Sequence, residues 1–102
     1  MRLKDRVCLV TGAGSGIGEA TAMMMAAEGA RVGVLSRTRD EIDRVVDRIN
    51  QSGGEALPLC ADISVAREME SAVQQLADRW GRLDVVFANA GINGVWAPID
   101  EI

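Results

Sequence analysis

The sequence predicts an α/β fold built on a doubly wound parallel sheet. Three observations lead to this prediction: four short apolar runs, longer helical segments between them, and a glycine-rich loop after the first run. Strands that alternate with helices in this way are typical of βαβ units, whose neighbouring strands are parallel. The predicted strands are Arg6–Thr11, Arg31–Leu35, Ala56–Cys60 and Asp84–Ala88.

The segments between the strands carry helical signals. In the second and third of them, apolar residues recur at spacings of three and four, which places them on one face of a helix. Thr38 and Glu41 stand at capping-box spacing before the second helix, and Ser64 is placed as the N-cap of the third. The predicted helices are Gly16–Glu28, Arg39–Ser52 and Val65–Trp80.

Pro58 predicts where the third strand lies. Proline has no N–H to donate to a neighbouring strand, so a strand that contains it belongs at the edge of a sheet. The strand order 3-2-1-4 of doubly wound sheets puts the third strand at an edge. We therefore expect the order 3-2-1-4, with helices on both faces.

Composition excludes several classes of partner. The chain has 102 residues, enough for one small domain, and a net charge of −4. The negative charge argues against binding to nucleic acid or to an anionic membrane surface. No apolar run approaches the about 20 residues that a membrane helix needs. We expect a cytoplasmic protein without a membrane or nucleic-acid partner.

Cys8 and Cys60 are the only cysteines, and there is no histidine. This set argues against a structural zinc site, so no metal is expected. In the predicted sheet the two cysteines lie on strands separated by a third, about 9–10 Å apart. Disulfide Cα atoms are rarely more than about 7 Å apart. We therefore expect two buried, reduced thiols.

The glycine-rich loop predicts a pyrophosphate site. It follows the first strand and reads T-G-x-x-x-G-x-G, carried by Thr11, Gly12, Gly16 and Gly18. Glycine allows sharp turns and close approach of a ligand, and the following helix N-terminus presents unpaired N–H groups. The spacing fits neither G-x-G-x-x-G nor a Walker P-loop. A flexible turn that binds nothing is the alternative.

With this loop the chain resembles the short-chain dehydrogenase/reductase family. Three further stretches are similar to family motifs: Gly29–Val32 at the second strand, Cys60–Ser64 after the third, and Asp84–Gly91 along the fourth. The resemblance covers the whole chain. It implies a Rossmann-type fold and an NAD(P)-dependent oxidoreductase that transfers hydride between the cofactor and a small alcohol or ketone, as a homo-oligomer when full length.

The resemblance also implies the cofactor-binding residues. Asp62 and Ile63 would hold the adenine, although Asp62 could instead cap the helix near Val65. Asn89 would be largely structural, tying the fourth strand to its neighbours, with direct contact between its side chain and the cofactor as the alternative. The implied residues are, in the glycine loop, Gly12, Ser15, Gly16, Ile17 and Gly18; after the second and third strands, Ser36, Arg37, Asp62 and Ile63; and after the fourth, Asn89, Ala90 and Gly91.

The end of the second strand favours NADP over NAD. An acidic residue about 20 residues past the loop usually binds the 2′-hydroxyl of NAD. Here Ser36 stands in that place, and Arg37 follows it. A guanidinium can form a bidentate pair with a 2′-phosphate. The alternative is that Arg37 and Arg39 are solvated charges near a helix start.

The chemistry of the family is expected in a second half that this sequence does not contain. The resemblance implies a catalytic Ser, a Y-x-x-x-K pair and an Asn there, and the 102 residues include no Tyr. No catalytic residue is therefore assigned. Two alternatives stay open: a stand-alone, non-catalytic nucleotide-binding module, and a methyltransferase-type domain, against which the neutral Ser36 counts.

The fourth strand is expected to end the sheet. Asp84–Ala88 would then leave its backbone N–H and C=O groups unpaired on an apolar edge, a template for association. We expect marginal stability and self-association through this strand. The alternative is that residues 89–102 fold back and shield the edge.

Overall fold

The computed structural model describes residues 3–12 and 16–87 and the backbone of 88 and 95–98, and it contains five strands and three helices there. The strands are β1 (Val7–Thr11), β2 (Arg31–Ser36), β3 (Glu55–Cys60), β4 (Val85–Ala88) and β5 (Val95–Pro98). The helices are α1 (Gly16–Ala27), α2 (Arg39–Gln51) and α3 (Ala66–Trp80).

The strands form one sheet in the order β3-β2-β1-β4-β5. β1 is parallel to both of its neighbours, with Cys8 opposite Val32 on β2 and Val85 on β4. β2 and β3 are also parallel, and Pro58 of β3 lies opposite Val34. The predicted parallel order 3-2-1-4 is confirmed, and Pro58 lies on the edge strand, where its missing N–H leaves no gap inside the sheet.

The prediction that the fourth strand ends the sheet is wrong. β5 pairs antiparallel with β4, and its register places Val95 opposite Ala88 and Pro98 opposite Val85. The backbone groups that were expected to stay unpaired along β4 therefore have a neighbouring strand. The expected self-association through β4 required a free edge, and β5 occupies that edge. The alternative prediction, in which part of residues 89–102 folds back along β4, is therefore the correct one.

Two apolar cores cover the two faces of the sheet. Side chains alternate along a strand, so Cys8 and Val10 of β1 face one side while Val7 and Leu9 face the other. The first pair packs with α1 and α2, and the second packs with α3. The fully buried residues of β1 therefore read as a continuous apolar run, as expected for a strand that helices cover on both faces.

The helix ends differ in part from those predicted. The N-caps of α2 and α3 are Thr38 and Val65, and neither makes a side-chain capping bond, so the predicted capping box and the Ser64 cap are wrong. Gly81 is the C-cap of α3; its φ of 77° is left-handed, and its N–H donates to the Ala77 carbonyl at 2.8 Å. No helix in the described residues is long and apolar enough to cross a membrane.

The two cysteines lie in different environments. Both are free thiols, as expected, but only Cys8 is buried, whereas Cys60 is exposed. The expectation of two buried thiols is therefore wrong for Cys60. It is the last residue of β3, and the described strands include none on the outer side of β3. Its thiol lies 3.6 Å from the carbonyl oxygen of Arg37.

Candidate functional site

The carboxyl ends of the parallel strands meet at one edge of the sheet and border an open cleft. Thr11 of β1 is in register with Leu35 of β2, and Ser36 is in register with Cys60 of β3. The cleft has a volume of about 430 Å³. It is lined by Gly12, Leu35, Ser36, Arg37, Thr38, Glu41, Ala61, Asp62, Ile63 and Ser64. Ligands of open α/β sheets bind in this position, outside the carboxyl ends of the strands.

The glycine loop enters the cleft at Gly12 and leads into α1. Gly12 has a φ of 64° and Gly16 a φ of 45°, left-handed values that side chains other than glycine rarely adopt. The loop thus uses glycine at both described ends. α1 begins at Gly16, so its first, unpaired N–H groups lie at the same edge of the sheet as the cleft. This is the arrangement that binds phosphate at a helix N-terminus.

Ser36 connects the end of β2 to the first turn of α2. Its hydroxyl accepts a hydrogen bond from the Thr38 N–H at 3.2 Å and donates one to Glu41 Oε1 at 3.4 Å. Glu41 therefore turns towards the strand end instead of capping α2 through the Thr38 N–H. The two contacts fix the short connection between strand and helix, and they place a carboxylate on the cleft wall.

Arg37 and Asp62 approach each other from the ends of β2 and β3. Arg37 Nη1 lies 3.9 Å from Asp62 Oδ2, and the Arg37 side chain is 76% exposed. An exposed pair at this distance contributes little to stability. The Arg37 guanidinium is thus available to a ligand in the cleft at small cost.

Asp62 is held by its own loop. Its carboxylate accepts hydrogen bonds from the Ser64 hydroxyl at 2.7 Å and the Ser64 N–H at 2.9 Å. These two bonds, with a smaller contribution from the charge of Arg37, lower the pKa of Asp62 below its ordinary value. The Asp62 N–H donates to Glu68 Oε1 at 2.8 Å. Asp62 therefore shapes the loop before α3 and does not cap the helix itself.

The structure brings five of the twelve predicted site residues together in the cleft. These are Gly12, Ser36, Arg37, Asp62 and Ile63. Three more form the start of α1 outside the cleft lining: Gly16, Gly18, which is buried, and Ile17, which is 68% exposed. The remaining four, Ser15, Asn89, Ala90 and Gly91, lie outside the described residues.

Glu41 is a charged residue of the cleft that was predicted from the sequence to cap α2. Its position in the first turn of a helix and three residues after Thr38 predicted a capping residue. Its carboxylate instead contacts Ser36, which lies five residues earlier at the end of β2. That spacing alone does not predict the contact, because the contact depends on the angle at which the chain enters α2.

The family model described as short chain dehydrogenase matches residues 6–102. The chain belongs to this family. A Listeria innocua protein named uncharacterized oxidoreductase Lin0452 is 37% identical over 92 residues, which are 90% of this chain and 37% of that protein. The chain thus spans little more than a third of the length of this relative. The methyltransferase alternative is excluded by the family match.

Two further similarities bear on the site and on chain length. A crystal structure of a 3-ketoacyl-ACP reductase from Sinorhizobium meliloti matches with a TM-score of 0.81 and 57% identity, covering 93% of this chain and 37% of that one. The short-chain dehydrogenase/reductase homolog YusS of Bacillus subtilis is 34% identical over 103 residues, which are 100% of this chain and 94% of YusS. The family therefore includes a relative of nearly the same length.

Proposed function

We propose that this chain is the NADP(H)-binding half of a short-chain dehydrogenase/reductase, with the adenosine end of the cofactor in the cleft between Ser36 and Asp62. The observation that supports this best is the position of Arg37, an exposed guanidinium at the mouth of a cleft bordered by the strand ends. A volume of about 430 Å³ lies within the range of about 300–1,000 Å³ that is usual for small-molecule sites.

The described residues fit a dinucleotide in three ways. Gly12 and Gly16 both have left-handed backbone conformations next to the N-terminus of α1, which suits close approach of a pyrophosphate. The exposed apolar side chains of Ile17 and Ile63 offer surface that a bound cofactor would cover. Arg37 supplies the positive charge for a 2′-phosphate. Ser15 and Asn89–Gly91 are proposed as further contacts on the basis of the family resemblance.

The proposed activity belongs to the whole protein. Bound NADP(H) would supply or accept the hydride, and the substrate would be a small alcohol or ketone, held by the half of the domain that follows. The 102 residues contain no Tyr to carry the accompanying proton, so we propose that they bind the cofactor without turning it over. A cytoplasmic homo-oligomer is the proposed state of the full-length enzyme.

Titration calorimetry with NADP and NAD tests the cofactor assignment. NADP is expected to bind more tightly than NAD. Arg37→Ala should weaken NADP binding about tenfold, or about 1.4 kcal/mol, and leave NAD binding nearly unchanged. Arg79→Ala is the matched control, because it removes the same charge from the last turn of α3. An equal loss of NADP affinity in Arg37→Ala and Arg79→Ala would contradict the assignment.

A stand-alone nucleotide-binding chain is the second candidate function. The nearly equal length of YusS favours it, since 94% of that protein is covered by this chain. Sequencing the reading frame beyond Ile102 separates the two candidates. A downstream Y-x-x-x-K motif would support the oxidoreductase, whereas a stop codon would support the stand-alone chain.

A further inference from the structure

The charges that line the described part of the cleft are not those of a simple phosphate site. Arg37 is the one basic residue in this lining, and Glu41 and Asp62 are both acidic. The Arg37 side chain lies nearest to Asp62, at 3.9 Å. Glu41, in contrast, has no basic side chain within ion-pair distance among the described contacts and uses its carboxylate to accept the Ser36 hydroxyl.

The backbone and the side chain of Glu41 each have a contact that favours its position beside the cleft. Its backbone belongs to the first turn of α2, where a negative charge is favourable next to the positive end of the helix dipole. Its carboxylate is drawn towards the end of β2 by the 3.4 Å contact with Ser36, which is itself held by the Thr38 N–H. The carboxylate therefore stands beside the position at which an acidic residue would bind the 2′-hydroxyl of NAD.

We propose that Glu41 is a cofactor-specificity residue, which supplies from α2 the carboxylate that is missing at Ser36. This inference rests on the proposed function. A ribose 2′-hydroxyl can donate to Glu41 in place of the Ser36 hydroxyl, whereas a 2′-phosphate meets like charge there. Glu41 thus opposes Arg37, and the NADP preference of the wild type is smaller than Arg37 alone would give.

Glu41→Gln tests the inference, because glutamine keeps the shape and one acceptor oxygen but loses the charge. Asp40→Asn is the matched control: Asp40 is exposed and lies in the same first turn of α2, near the positive end of the helix dipole, but it does not line the cleft. Dissociation constants for NADP and NAD are measured by titration calorimetry for wild type and both variants, at low and at high salt.

Glu41→Gln is expected to tighten NADP binding about fivefold at low salt, with a smaller gain at high salt, and to leave NAD binding equal or slightly weaker. Asp40→Asn should change the ratio of the two constants less than twofold. If Glu41→Gln changes the ratio of the NADP and NAD dissociation constants no more than Asp40→Asn does, the proposed role of Glu41 is wrong, and the proposed function is unaffected. Absence of saturable binding of either dinucleotide to the wild type would overturn the proposed function, and this inference with it.

Discussion

The main-chain N–H of Val7 donates a 2.8 Å hydrogen bond to Oδ2 of Asp84, although the two residues are 77 positions apart. The same carboxylate accepts two hydrogen bonds from Arg82, at 2.8 and 2.6 Å, and lies 3.5 Å from Arg6. Asp84 thus joins the start of β1 to the start of β4. The Asp84 N–H also donates to the Val7 carbonyl at 2.8 Å, so main chain and side chain of Asp84 together hold the amino ends of β1 and β4 in register.

Asp84→Asn should destabilise the fold by about 1–3 kcal/mol at neutral pH, because the Val7 and Arg82 donors lose a charged acceptor. Burial alone would raise the pKa of Asp84, but the Arg82 and Val7 hydrogen bonds and the charges of Arg82 and Arg6 lower it overall. A lowered pKa gives stability that is present above the unfolded value of 3.8 and is lost as the pH falls through the folded one.

Urea unfolding at neutral pH and below pH 4 measures this contribution. The difference in unfolding free energy between wild type and Asp84→Asn should shrink as the pH falls, because protonation removes the same charge from the wild type. Asp43→Asn, at an exposed position of α2, serves as the control and should change little at either pH. A difference that stays constant with pH would show that the charge of Asp84 does not stabilise the sheet.

Much of this sheet could be predicted from local sequence. Pro58 placed β3 at the edge, and the apolar residues of Val7–Val10 indicated a strand covered on both faces; both predictions are confirmed. β5 was missed because its four residues end in Pro98 and follow a glycine-rich stretch, which is typical of a loop. Its strand conformation depends on pairing with β4, and no local pattern encodes that pairing.

For the candidate site, the sequence predicted residues that the structure brings together, whereas their role in binding a cofactor stays a prediction. Gly12, Arg37 and Asp62 were assigned from motifs, and the structure places them around one cleft. Glu41 was assigned a capping role from its spacing to Thr38. That spacing carries no information on where the end of β2 lies relative to the helix, so the contact with Ser36 was missed. The prediction that Cys60 is buried was also wrong, because the exposure of a residue on an edge strand depends on which segments pack against that edge.

Gly33 and Leu76 should be energetically coupled. A Cβ at Gly33 of β2 would lie 2.8 Å from Leu76 Cδ2 and 3.1 Å from Leu59 Cδ1, and both leucines are buried. Gly33→Ala should therefore cost about 1–3 kcal/mol through overpacking. Leu76→Ala should cost about 2–5 kcal/mol through loss of burial and a cavity.

The double variant distinguishes overpacking from a general intolerance of change in β2. When Leu76→Ala has shortened the facing side chain, the methyl group added by Gly33→Ala has room. The double variant should therefore be more stable than the sum of the two single losses predicts. Urea unfolding of the four proteins gives the coupling. Losses that add to within about 0.5 kcal/mol would contradict the proposed contact.

The two thiols should differ in reactivity. Cys60 is exposed, whereas burial, with a contribution from the charge of Asp84, raises the pKa of Cys8 to about 11. Because the thiolate is the reactive form, a maleimide at neutral pH should label one site in the folded protein and two in urea. Cys60→Ser should abolish labelling of the folded protein. Equal labelling of Cys8 without denaturant would show that β1 is accessible.

The central claim is that the cleft between Ser36 and Asp62 binds the 2′-phosphate end of NADP. Titration of wild type and Ser36→Asp with NADP and NAD tests it most directly. The wild type should prefer NADP, and Ser36→Asp should weaken NADP binding more than about tenfold and reverse the preference, because a second carboxylate beside Glu41 repels the phosphate. An unchanged preference in the variant, or no saturable binding of either cofactor to the wild type, would contradict it.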